Sequence, residues 1–306
     1  MILIITHKLD YTVDFVVDIL NSRKIPYKRL NCEDIIKSGL SISIKDTFDL
    51  RLLGEQVFSS IWFRRTMLPE IVMPLSEKIY LLKEFEYLLK NIFATIEGKW
   101  LSDPFLVYRA ENKLLQLKYA KEIGFLIPET LVSANAHEIR RFADKQGSII
   151  IKPIYSGRLE SDAGPDFMFT NVVSERHLSD LENYDITPCI FQQEIKKKIE
   201  LRVTVVGKEV FSAQVDSQRS KESKTDWRRE KNKFEPFELP KNLAESCVTL
   251  VEKLGLRFGA IDLILTPEGK YVFLEINPNG QWVWIETETG LKISDALINE
   301  LTAEIE

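Results

Sequence analysis

Arg257-Phe-Gly-Ala-Ile-Asp262-Leu-Ile-Leu-Thr-Pro-Glu-Gly269-Lys-Tyr-Val-Phe-Leu-Glu275-Ile-Asn277-Pro-Asn279-Gly280 is the stretch around which the chain is organised. Two apolar runs, 258–265 and 271–276, flank the turn signal Thr266-Pro-Glu-Gly269 and predict a β-hairpin. Acidic side chains interrupt both runs. Glu275 and Asn277 are two apart, so on a strand they share a face. Asp262, on the partner strand, reaches that face if the register allows. Two carboxylates and an amide oxygen are hard oxygen ligands, the set that holds Mg²⁺ jointly with phosphate oxygens. The alternative is a hairpin with polar residues on its wet side.

The whole chain narrows the field. Its 306 residues suffice for a sizeable core and two or three lobes. With 44% hydrophobic and 28% charged residues it has the composition of a soluble globular protein. A formal net charge of −5 argues against broad nucleic-acid binding. Cys32, Cys189 and Cys247 lie far apart and form no CxxC pair, which excludes a disulfide framework or zinc site and fits a reducing cytoplasm. No run approaches the roughly 20 apolar residues of a membrane span. The first strand, 1–6, lacks the basic lead of a signal segment. A cytoplasmic protein without a membrane or nucleic-acid partner is expected.

Working backwards from the hairpin, residues 1–100 read as a small α/β lobe. It has strands at 2–6, 27–31 and 59–63, a short hairpin over 41–44 and 48–53, and an amphipathic helix from Ser76 to about Ile96. Neither GxGxxG nor GxxxxGK[ST] occurs anywhere in the chain, so Rossmann-type or P-loop nucleotide binding is not expected. Residues 100–104 read as a linker turn and 110–123 as a helix with Asn112-Lys113 in its first turn. Strands follow at 129–132, 148–152, 167–173 and 189–193, with a helix capped by Asn135 and a short helix at 177–183. The segments 156–164 and 217–232 read as polar loops, and 200–206 with 209–216 as a second hairpin. Helices close the chain at 239–254 and 292–305.

Several side chains outside the hairpin carry charge where burial is expected. Lys152 ends an apolar strand and either meets an anion or snorkels outward. Lys113, at a helix start, is unfavourable for a cation unless an anionic ligand binds there. Backbone groups at the strand exit Gln192-Gln193-Glu194 are placed to read an adenine edge, and Glu194 to accept ribose hydroxyls. Arg202 alternates with Leu201 and Val203 and wants a partner, for which phosphate serves. Arg64 and Arg65 end a hydrophobic strand pointing to opposite faces. One of them faces a cleft and binds carboxylate or phosphate, or both are solvated. His7, His137 and His177 are scattered and read as structural.

In this order, Asn112-Lys113, Ile151-Lys152-Pro153, the 156–164 loop, Gln192-Gln193-Glu194, Leu201-Arg202-Val203, Asp262 and Glu275-Ile-Asn277-Pro-Asn279 resemble the ATP-grasp carboxylate ligases over residues 100–306. The resemblance implies the ATP-grasp fold, an α/β (α+β) architecture with an N-terminal pre-ATP-grasp lobe. It implies lobes at 1–100, 101–195 (the lid) and 196–306 (the metal site). It also implies Lys113, Lys152 and Arg202 on ATP phosphates, Gln192, Gln193 and Glu194 at the adenosine, and Asp262, Glu275 and Asn277 on Mg²⁺. A finer likeness rests on Trp62-Phe-Arg64-Arg65, Leu201-Arg-Val-Thr-Val-Val-Gly207, Thr225-Asp-Trp-Arg228 and Glu275-Ile-Asn-Pro-Asn-Gly-Gln-Trp282. These resemble the peptide-maturing branch, the graspetide macrocyclases that close microviridin-type rings.

That branch implies an ADP-forming ligase which phosphorylates an Asp or Glu side chain of a ribosomal precursor peptide bearing a leader. A Ser or Thr hydroxyl, or a Lys amine, then closes an ester or amide. Arg202 and Arg228 are the implied catalytic groups, with Arg64, Arg65 and Arg228 toward the substrate; homodimers occur among such ligases. The rival readings are a ligase adding an amino acid to a protein tail or small carboxylate, and a noncatalytic ATP-binding scaffold.

Overall fold

The computed structural model describes residues 1–155, 158–161, 164–167, 170–181, 187–217 and 233–303, with 158–161 and 164–167 described by backbone alone. The branched apolar run Ile2–Thr6 (β1) is buried at every position and lies at the centre of a parallel sheet. Asp10 caps helix α1 (Tyr11–Ser22) by accepting from the Thr12 amide, which turns the chain back to β2 (Tyr27–Asn31). A hairpin of β3 (Ser41–Ile44) and β4 (Phe48–Arg51) precedes β5 (Ser60–Phe63). Helix α2 (Leu75–Thr95) then leads to β6 (Lys99–Trp100). The sheet order β2-β1-β5-β6 reverses direction between β1 and β5, and such a reversal opens a crevice at the carboxyl ends of those strands.

The stretch expected to be a linker is therefore structural. Lys99–Trp100 pairs with β5, and Asp103-Pro104 is an N-cap followed by a first-turn proline, starting helix α3 (Pro104–Ala110). The helix expected over 110–123 begins later. Asn112 caps helix α4 (Lys113–Ile123), its side chain accepting from the Leu115 amide at 3.0 Å, and Gly124 ends it in the left-handed conformation.

Residues 130–193 form an antiparallel sheet of order β11-β8-β12-β7: β7 (Thr130–Ser133), β8 (Ile149–Lys152), β11 (Asn171–Val172) and β12 (Cys189–Gln193). Helix α5 (Ala136–Gln146) covers one face, packing Ile139 and Ala143 against Ile149 and Phe191. The 156–164 segment is not a plain loop. Its described residues pair as β9 (Arg158–Ser161) with β10 (Gly164–Phe167), so the strand expected over 167–173 divides between two sheets. Helix α6 (Glu175–Ser179) lies between β11 and β12.

The C-terminal sheet has order β15-β14-β13-β16-β17, antiparallel throughout. Its strands are β13 (Ile199–Val206), β14 (Glu209–Val215), β15 (Phe234–Pro236), β16 (Phe258–Leu265) and β17 (Tyr271–Asn277). Strand alternation sorts its two faces. Leu201, Val203, Ile261 and Phe273 pack on α7 (Lys241–Lys253) in a core that continues through α4 to Phe63 and Phe93 of the first lobe. Val206, Ala213 and Phe258 pack on α9 (Ile293–Thr302) in a second core that includes Trp282, Trp62 and Val13. Helix α8 (Val283–Thr289), which the sequence reading did not anticipate, precedes α9. Both large cores thus draw on the first and last sheets.

Candidate active site

The hairpin places its acids as the pattern demanded, with one irregularity. Asp262 pairs directly with Glu275 and Ala260 with Asn277, so both carboxylates and the amide share a face. The register then shifts and Leu263 pairs with Phe273, leaving Leu274 as the extra residue of a β-bulge beside the site. Arg202 lies opposite Asp262 on the neighbouring strand, and its Nη1 donates to both carboxylate oxygens at 3.0 and 2.9 Å. Arg202 is 8% exposed, and its Nη2 also donates to the Gln281 carbonyl at 3.4 Å. Asn277 Oδ1 accepts from the Asn279 amide at 3.0 Å, bending the chain just past the strand. A methyl group on Gly280 would collide with Ala260 Cβ and sit 2.7 Å from Arg202 Nη2, so the bare backbone there is a condition of the segment's close approach to both strands.

Helix α4 fixes this strand from below. The Gln116 amide donates to the carbonyls of Ala110 and Ile276 at 2.7 and 2.8 Å, while its oxygen accepts from the Ile276 amide at 3.1 Å. A single buried side chain thus takes the place of a neighbouring strand between Glu275 and Asn277. Gln116→Leu strands three buried backbone groups and is expected to lower stability by about 2–4 kcal/mol, read from the urea midpoint. One turn earlier, Lys113 Nζ donates to the Pro153 carbonyl at 3.0 Å, which brings the start of α4 to the residue following Lys152.

In the middle sheet, Ile149, Ile151 and Phe191 face α5, so Lys152 and Gln192 lie on the opposite face. Gln192 is 1% exposed. Its Nε2 donates to Thr130 Oγ1 at 2.9 Å, whereas its Oε1 is a buried acceptor without a partner among the described residues. Gln193 alternates to the α5 side, and its amide donates to the Glu129 carbonyl at 2.9 Å, so its side chain does not join Gln192. Exposed Glu194 accepts from Ser148 Oγ.

Glu200 is a site-face residue that the sequence reading passed over, although its i, i+2 spacing from Arg202 on one strand was available as a signal. It is buried and lies 3.1 Å from Lys197 Nζ. Burial raises its carboxyl, against the pull of Lys197 and Ser217. Burial also pushes the Cys32 and Cys247 thiols up to about 12, leaving both as inert packing groups.

The two arginines that follow β5 diverge as expected, but the buried one does not face a cleft. Arg64 is enclosed by the protein's own acceptors, because the loop after Asn277 folds over it. Arg65 is exposed and its charge opposes the desolvation that raises the Glu111 carboxyl. Arg228, with residues 218–232, lies outside the described residues. No described helix is long and apolar enough to cross a membrane.

Hard oxygen donors thus stand on one face of the last sheet beside a buried arginine. The chain belongs to the RimK-like ATP-grasp family, whose domain matches residues 110–301, and it is an ATP-grasp ligase. Along 98% of its length it is similar to a RiPP-associated ATP-grasp ligase of Chryseobacterium gregarium solved with ADP and a leader and core peptide. That likeness has 31% identity and a TM-score of 0.89 and covers 96% of that chain. Macrocyclase MdnC of Microcystis aeruginosa MRC, solved with its precursor peptide MdnA, is 28% identical with a TM-score of 0.86, over 98% of this chain and 99% of that one. The α-aminoadipate–LysW ligase LysX of Sulfurisphaera tokodaii is 23% identical over 220 residues, 69% of this chain and 74% of that protein.

Proposed function

We propose that the protein crosslinks side chains of a ribosomally made precursor peptide at the expense of ATP. The likeness over nearly the whole of both chains to two ligases solved with peptides, first lobe included, is the observation that carries this reading. In it, residues 1–100 form the pre-ATP-grasp lobe, 101–195 the lid and 196–306 the metal-bearing lobe.

Lys113 and Lys152 hold ATP phosphates, and the orphaned Gln192 Oε1 suits an amino group of the base. Glu200, buried on the face of Arg202, is better placed than exposed Glu194 to accept ribose hydroxyls. Asp262, Glu275 and Asn277 are the oxygen donors that suit Mg²⁺, which supplies charge neutralisation for the phosphates. Exposed Arg65, together with Arg228, is assigned to the acidic side chains of the peptide.

The chemistry balances without an enzyme nucleophile. A carboxylate oxygen of a substrate Asp or Glu takes the γ-phosphoryl group and ADP leaves. A Ser or Thr oxygen, or a Lys nitrogen, then attacks the acyl carbon. The C–O bond to phosphate breaks with its electron pair, and the proton of the attacking group departs with it. Arg202 holds Asp262 and presents fixed positive charge where phosphate charge develops.

Incubating the protein with ATP, Mg²⁺ and a short Thr/Asp/Glu-rich precursor is expected to release one ADP and remove the mass of one water per crosslink. An added residue mass would instead mark amino-acid tailing. No ADP release with any carboxylate substrate would mark a noncatalytic scaffold.

A further inference from the structure

Arg64 is 1% exposed, an unusual setting for a guanidinium, and its surroundings explain what it does there. Its Nε lies 3.6 Å from Asp10 Oδ2. Its Nη1 donates to the carbonyl of Asn279 and, at 3.4 Å, to that of Gly280, while Nη2 donates to Thr12 Oγ1 at 3.4 Å. Thr12 Oγ1 in turn donates to Gln281 Oε1. Asp10 is itself fixed, accepting from Thr6 Oγ1 at 3.0 Å and from the Thr12 amide at 3.1 Å. Burial brings the Arg64 guanidinium down to about 10 against the pull of Asp10, so it remains a cation at neutral pH.

These groups fill the crevice at the carboxyl ends of β1 and β5, where an open α/β sheet ordinarily receives a ligand. Here the occupant is the protein's own segment 278–281, which continues directly from Asn277. Any side chain on Gly280 would crowd Ala260 and Arg202 Nη2, and the Gln281 carbonyl accepts from the same nitrogen.

The geometry points to the Asp10–Arg64–Thr12 cluster as a latch by which the first lobe positions Arg202 and Asn277, with Arg64 a positioning residue that touches neither nucleotide nor peptide. The planar fork of arginine reaches two successive carbonyls while keeping its ion pair; a lysine ammonium cannot. With those carbonyls released, the segment lifts, Gly280 no longer confines Arg202, and the turn that aims Asn277 loosens. The inference deepens the reading of the 262–277 site as the metal end of the nucleotide cleft. It does not depend on the substrate being a peptide.

The test uses the full chain with Arg64→Lys, Gly280→Ala and their combination, and reads Mg·ADP binding by calorimetry across a range of Mg²⁺ concentrations. Arg64→Lys is expected to weaken Mg·ADP binding about tenfold and raise the Mg²⁺ requirement. The double variant is expected to lose little more than Gly280→Ala alone, because both changes act through one element. A general loss of stability does not produce that non-additivity. Binding unchanged in Arg64→Lys, or losses that add independently, would overturn the latch. Should Arg64→Lys not fold, Thr12→Val removes the bond from Arg64 Nη2 and the bond to Gln281 but leaves the ion pair with Asp10 and the bonds to the two carbonyls. A smaller shift in the same direction supports the latch and unchanged affinity overturns it. Normal Mg·ADP binding by the unmodified protein without peptide turnover would defeat the substrate reading alone. Normal binding by the latch variants would defeat this inference alone.

Discussion

Glu275→Gln is expected to cut turnover by at least about 10²-fold, the scale on which an electrostatic stabiliser of a transition state counts. The fold should hold, with unfolding free energy within about 1 kcal/mol of the parent. The substitution keeps shape and removes one negative charge. Glu275 sits directly opposite Asp262, which Arg202 engages, so the two carboxylates are neighbours on one face of the hairpin. An amide there leaves a weaker oxygen donor for a hard cation. ADP release at saturating ATP, alongside a urea titration, separates the two effects. A Glu275→Gln enzyme that turns over at the parental rate would remove Glu275 from the metal assignment.

Arg202→Lys should combine a catalytic and a structural loss. Nη1 contacts both oxygens of Asp262 and Nη2 reaches the Gln281 carbonyl, a geometry set by the planar fork. An ammonium keeps the charge but cannot satisfy all three acceptors in a site this buried. Turnover is expected to fall about 10²–10³-fold, and stability by about 1–3 kcal/mol for the buried acceptors left short. Single-turnover ADP formation and the urea midpoint measure the two. If the Arg202→Lys enzyme matched the parent in the single-turnover phase, Arg202 would be only a packing partner of Asp262.

The hairpin and the strand Ile199–Val206 were legible because alternation of apolar and polar residues is a local signal. Asp262, Glu275, Asn277 and Arg202 could therefore be placed on their strands from their own neighbours in sequence. The bulge at Leu274 was not legible, since a register shift belongs to a pair of strands and not to either one. Gln116 escaped because its partner, Ile276, lies 160 residues away and a glutamine on a helix looks like any solvated residue. For Arg64 the direction could be read but not the surroundings: alternation separated it from Arg65, whereas only the folded chain brings Asn279 and Gly280 over it. Asp103-Pro104 was misread as a linker because a cap-and-proline pair starts helices and turns alike.

The two cores shared between the first and last sheets limit how such an enzyme can be recombined. A graft that exchanged everything before residue 100 would part Trp62 and Val13 from Trp282, and Phe63 and Phe93 from the α4–α7 layer. The lobe is thus not a detachable cassette, and a chimaera would need complementary changes on Trp282, α4 and α9 to close either seam. Single substitutions at exposed positions such as Arg65, which lie outside both seams, leave the two cores intact.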